Sequence, residues 1–111
     1  MVNLYVPTPH TDEEIRAALQ TTGRTILFLN ADWCGDCTAI KPFVGAIRER
    51  AEQQAHWIDA DRDANLAVAL DYHLRGIPAF ALFENGQRVS HIGNGQRLAA
   101  QEVLDWLESV V

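Results

Sequence analysis

The stretch that decides the fold reads Ile26-Leu27-Phe28-Leu29-Asn30-Ala31-Asp32-Trp33-Cys34-Gly35-Asp36-Cys37. Its first four residues form an unbroken apolar run, the pattern of a strand covered on both faces. Beyond the cysteines, Ile40, Phe43, Val44, Ile47 and Ala51 repeat at helical spacing, so a helix begins at the pair. A Cys-x-x-Cys at a strand-to-helix junction places its first thiol at a helix N-terminus. The unpaired N–H groups there favour an anion, and for cysteine that anion is the thiolate, the form that attacks disulfides. The second thiol follows one turn later, near enough to close a small ring. The arrangement suits a dithiol that cycles to a disulfide and back.

Cys34 and Cys37 are the only cysteines in the chain. Zinc takes four ligands, and His10, His56, His73 and His91 are scattered, so no metal is expected. A purely structural bridge across so short a loop would remove little unfolded-chain entropy. The redox-active reading fits better than either.

Working outward, the 111 residues predict one domain spanning 1–111, and 48% hydrophobic content supplies an ordinary core. The formal charge of −6 with no basic cluster argues against a nucleic-acid partner. No run is long enough to cross a membrane, and Met1–Pro7 shows neither a basic n-region nor a cleavage site. Together with the cysteine usage this predicts a cytoplasmic protein.

Val2 to Val6 reads as a short edge strand ended by Pro7 and Pro9. Thr11 and Glu14 form a capping box for a helix bearing Ile15, Ala18, Leu19 and Thr22, stopped by Gly23. Pro42 lies inside the helix after the cysteines. The apolar period stays in phase beyond it, which predicts a kink rather than an end. Trp57-Ile58 lies in a strand within 56–60, and Asp61 or Asp63 is placed to cap a third helix with Leu66, Ala69, Leu70 and Leu74. Ala79–Phe83 is again continuously apolar. Asn85-Gly86 predicts a tight hairpin into Arg88–Ile92, and Ala100, Val103, Leu104, Leu107 and Val111 give a last helix its apolar face. The order β-α-β-α-β-α-β-β-α implies an α/β fold: a mixed central sheet, an antiparallel C-terminal hairpin, and helices on both faces.

On these residues the chain resembles the thioredoxin family over nearly its whole length. Trp33-Cys34-Gly35-Asp36-Cys37 stands where the family has Trp-Cys-Gly-Pro-Cys, and Pro42 stands at its helix-kink proline. Tyr72–Pro78 resembles the segment leading into its cis-proline, Phe83-Glu84-Asn85-Gly86 its hairpin, and Ile92-Gly93 its substrate-groove glycine. The resemblance implies a thioredoxin fold and a protein-disulfide reductase. Cys34 would be the nucleophile and Cys37 the resolving thiol. Trp33, Ile77, Pro78 and Gly93 would contact substrate, with Ile77 offering its backbone beside a cis Pro78. It also implies disulfide-containing protein substrates and a thioredoxin reductase, an NADPH-dependent flavoprotein in this family. The chain itself has no Gly-rich phosphate loop, so no cofactor beyond the dithiol is expected.

Three departures stand out. Asp36 replaces proline and is expected to tune the thiols, because a nearby carboxylate disfavours a thiolate and makes the site more reducing. Phe28 replaces a buried aspartate that in the family takes the resolving thiol's proton, so resolution is expected to be slow. His73 occupies a frequent glycine position, which predicts a left-handed residue. Two other classes of function remain alternatives: a redox-inert interaction domain, opposed by the intact Cys-x-x-Cys, and a dithiol oxidant or isomerase, which needs a secretory address.

Overall fold

A computed structural model describes residues 4–111. Their order is α1 (Asp12–Leu19), β1 (Arg24–Asn30), α2 (Gly35–Ala51), β2 (His56–Asp61), α3 (Leu66–Asp71), β3 (Ala79–Glu84), β4 (Gln87–Ile92) and α4 (Ala100–Val110). The four strands form one mixed sheet in the order β2-β1-β3-β4. β1 runs parallel to β2 and antiparallel to β3, and β3 pairs antiparallel with β4. Of the predicted first strand, residues 4–6 lie outside the sheet, and Val2 and Asn3 lie outside the described residues. Instead the Tyr5 N–H donates to the Lys41 carbonyl at 3.2 Å, which ties this segment to α2. The two prolines that follow explain the outcome, since they deny a ladder its donors.

The central strands are covered on both sides, as their unbroken apolar runs require. Leu27, Leu29, Ala79, Ala81 and Phe83 face one way and pack with Ile15 and Leu19 of α1 and Val68 and Ala69 of α3. Phe28 and Phe80 face the other way and pack with Ile40, Val44 and Ile47 of α2 and Val103 of α4. The two rings are register partners across β1 and β3, stacked with centroids 4.8 Å apart. Burying each ring contributes about 2 kcal/mol.

The local punctuation follows the residues. Thr11 and Glu14 close the capping box of α1. Helix α2 continues through Pro42. Phe43, assigned to the apolar face of α2, is half exposed instead. Asn85 and Gly86 both take positive φ, the geometry of a two-residue hairpin turn matched to strand twist. His73 has φ 57°, as predicted. The third helix departs from expectation. Neither Asp61 nor Asp63 caps it: its N-cap is Asn65, whose side chain makes no capping bond. That side chain is spent elsewhere, accepting from the Asp61 N–H and donating to Asp12 and the His10 carbonyl. Helix α3 ends before Leu74, which is nonetheless buried, while Leu66 and Leu70 are exposed.

Candidate functional site

The site lies where β1 gives way to α2. Cys34 is the N-cap of α2, in extended conformation, with its N–H donating to the Ala31 carbonyl at 3.2 Å. Its Sγ takes the place of a capping oxygen and accepts the Cys37 N–H at 3.1 Å. A sulfur held in this way meets the positive end of the helix directly. Both cysteines are free thiols. Cys34 is 8% exposed and Cys37 fully buried, packed with Ala31 and Ile77. One cysteine therefore touches the surface and the other lies wholly beneath it.

Burial dominates the chemistry of Cys37. Its thiol is pushed up to about 12, first by burial, then by the hydrogen bond with Cys34 and by that sulfur's charge. A backbone hydrogen bond with Ala31 and the charge of Lys41 act the other way. Phe28, wholly buried beneath α2, offers no proton acceptor. A buried carboxylate does stand beside it. Asp59 is the register partner of Phe28 on β2 and is 2% exposed. The sequence reading passed over it, although Asp59 shares the inward face of its strand with Trp57. Its oxygens are already engaged: Tyr5 Oη lies 2.9 and 2.8 Å from them, the Thr8 N–H donates at 3.0 Å, and Trp57 Nε1 donates at 3.0 Å. Arg48 in turn donates to Tyr5 Oη at 3.0 Å. The Tyr5 hydroxyl is pushed up to about 12 by burial and by Asp59.

The structure brings the other predicted site residues around the dithiol. The Ile77–Pro78 peptide bond is cis, and the Ile77 carbonyl stands 4.0 Å from Cys34 Sγ. Trp33 is 68% exposed, so it is a surface wall rather than core. Its indole N–H donates to Asp63 Oδ2 at 2.6 Å, which fixes the ring's direction. Gly93 has φ 109°, and a Cβ there would collide with the Pro78 carbonyl. Close backbone packing in the protein itself thus demands this glycine, whatever approaches from outside. Asp36 lies in the first turn of α2, and its carboxylate accepts from Arg97 Nε at 3.0 Å. Arg97 precedes α4 by sequence and could not be matched with Asp36 from spacing, because the contact spans the fold. Among the described residues, no group of His, Cys, Asp and Glu is placed to hold a metal ion. No helix there is long and apolar enough to cross a membrane.

Comparison with known proteins agrees with this geometry. The sequence model of the thioredoxin family matches residues 6–108. A thioredoxin from Porphyra purpurea is 36% identical over 62 residues, 56% of this chain and 58% of that one. Thioredoxin 1 of Synechococcus elongatus shows the same identity and coverage. The matched part thus spans under two thirds of the length of these relatives. Among solved structures, a thioredoxin variant from Halobacterium salinarum superposes with a TM-score of 0.72 at 28% identity, over 93% of this chain and 88% of that one. The oxidised mitochondrial thioredoxin 3 of Saccharomyces cerevisiae superposes with a TM-score of 0.76 at 19% identity, over 94% and 95%, a likeness of fold.

Proposed function

Because this chain belongs to the thioredoxin family, we propose that it is a thiol–disulfide oxidoreductase working as a protein-disulfide reductase. The observation that carries the reading is Cys34 Sγ at the N-cap of α2, accepting the Cys37 N–H with a second free thiol behind it. Cys34 attacks a substrate disulfide and forms a mixed disulfide with one substrate sulfur, releasing the other as a thiolate. Cys37 then attacks Cys34 Sγ, releases the second substrate sulfur and leaves the Cys34–Cys37 disulfide. A thioredoxin reductase returns two electrons to that disulfide.

The substrate is a protein. An open cavity of about 370 Å³ lies nearby between residues 6–9, Asn30, Asp32 and Asp61, but neither cysteine lines it. The dithiol instead opens on surface flanked by exposed Trp33 and the Ile77 backbone, suited to an extended segment docking by its main chain. Trp33 and Ile77 would meet this segment, above the buried Pro78 and Gly93. The cysteine usage favours a reducing compartment, and the reading places the protein in the cytoplasm.

Insulin reduction with dithiothreitol as electron source tests the activity. Turnover by the wild type is the expected result, and its absence would return the chain to a redox-inert role. A redox titration of the Cys34–Cys37 couple then separates reductant from oxidant. A potential as oxidising as that of dedicated dithiol oxidants would refute the reductase.

A further inference from the structure

One turn beyond Cys37 on α2 stands Lys41, at the i+4 position and so on the same helix face. Its side chain is 11% exposed, so its aliphatic stem lies against the protein. Among the described residues its ion-pair partner is Asp32, at 3.9 Å and on a side chain that stands fully in solvent. So long and exposed a pair is weak and leaves the lysine's charge largely uncancelled. The lysine thus keeps one weak ion pair among the described residues and stands one turn from the buried thiol, on which its charge acts.

The geometry points to Lys41 as a positioning residue for the resolving step: its charge, one helical turn away, favours Cys37 as a thiolate while that sulfur attacks the mixed disulfide. This inference rests on the oxidoreductase reading above. In the mixed disulfide, Cys34 is covalently bonded and carries no charge, so its part in holding Cys37 protonated falls away. Burial then stands against the Ala31 backbone hydrogen bond and Lys41, which both favour the thiolate. The other charged groups on the surrounding elements are differently placed. Asp36 is paired with Arg97, Asp32 projects into solvent, His73 and Arg75 of the loop before Pro78 are exposed, and Asp59 on β2 is held by its own donors. With Phe28 offering no base, stabilising the anion takes the place of accepting the proton. The Cys37 proton passes to water. The thiolate forms a bond to Cys34 Sγ, the bond from Cys34 to the substrate sulfur breaks, and the electron pair leaves on that sulfur, which is then protonated. The protein dithiol is oxidised and the substrate disulfide reduced.

Ellman's reagent reads this step without a protein substrate. Reduced full-length protein releases one aryl thiolate as Cys34 attacks and a second as Cys37 resolves. In Lys41→Met and Lys41→Gln the pH midpoint of the second phase should rise by about one pH unit. Its rate at neutral pH should fall about threefold, because the rarer thiolate is also the more nucleophilic. The first phase should not change, and Lys41→Arg should restore the second. A melting curve on each variant identifies those that are folded. Superimposable second-phase profiles in wild type and either folded neutral variant overturn the inference, as does an arginine variant that behaves like methionine. The insulin assay keeps the two readings apart. Superimposable profiles with insulin reduction intact sink Lys41 alone. The expected shifts without insulin reduction leave Lys41 in place and sink the reductase.

Discussion

Two buried polar centres lie along α2, and they are built in opposite ways. Beneath the helix, the Asp59 carboxylate is surrounded by donors: Tyr5, Thr8 and Trp57 reach it, and Arg48 supports Tyr5. At the helix start, the Cys37 thiol has apolar neighbours and no such shell. A buried group that is fully hydrogen-bonded has its desolvation offset and serves structure. One left short of partners is costly to ionise, and a reaction that changes its state can be governed by a small nearby charge. The first centre anchors the N-terminal segment. The second is poised for chemistry. Phe28 is the register partner of Asp59 and carries no polar group that could link its carboxylate to the thiol.

The largest test of the contrast is at the cysteines. Cys34→Ser should abolish disulfide reduction, since of the two cysteines only this one is partly exposed and holds the helix N-cap. Cys37→Ser should accumulate mixed disulfides, visible by non-reducing electrophoresis and mass spectrometry. Capture by the Cys34→Ser protein instead would invert the roles.

Next comes the saturated centre. Asp59→Ala should cost about 3 kcal/mol by leaving part-buried donors without an acceptor, measured by urea unfolding. Its resolving step, read by single-turnover kinetics across pH, should keep the wild-type profile. A slowed resolving step in a folded Asp59 variant would show that the two centres communicate, and the contrast would fail.

Alkaline stability sharpens the same point. The Cys37 thiol is raised from 9.0 to about 12 in the fold, so folding favours its protonated form. That contribution is intact below about pH 9 and is lost as pH climbs toward 12. Tyr5, raised from 10.0 to about 12, loses its contribution in the same direction. Reduced protein should therefore lose stability more steeply over this window than oxidised protein, which retains the Tyr5 hydroxyl but has no Cys37 thiol. Parallel pH profiles of the two forms in thermal unfolding would remove burial of Cys37 as a factor.

The smallest effect belongs to Asp36. Its bridge to Arg97 is largely exposed, so Asp36→Asn should change stability by under about 1 kcal/mol. The potential of the dithiol should become slightly less negative in Asp36→Asn and slightly more negative in Arg97→Gln, which uncovers the carboxylate. Thiol-exchange equilibria with glutathione measure both. Shifts of the same sign would show that the pair does not act through charge on the thiols.

Much of this architecture was legible in single residues. The run from Ile26 to Leu29, the helical spacing after Cys37 and Asn85-Gly86 predicted β1, α2 and the hairpin, because each rests on local periodicity or backbone preference. The same reasoning went wrong where local preference met competition. Asp61 and Asp63 are good caps by residue type, yet α3 begins at Asn65, and Asp63 holds the Trp33 indole instead. Residues 4–6 look like strand, yet their segment is drawn onto α2 through Tyr5.

The sequence by itself determined the dithiol, the sheet with its two covered faces, and the absence of an acid at position 28, since all of these follow from residue type and short spacing. Only the tertiary structure decided that Asp59 is saturated, that Arg97 covers Asp36, and that Lys41 lies part-buried on the face of Cys37. The reason is physical. Periodicity fixes which way a side chain points, but the state of a buried charge depends on what meets it there. Trp57 aside, the partners of Asp59 and Asp36 come from 51 or more residues away in the chain, where short-range spacing carries no information.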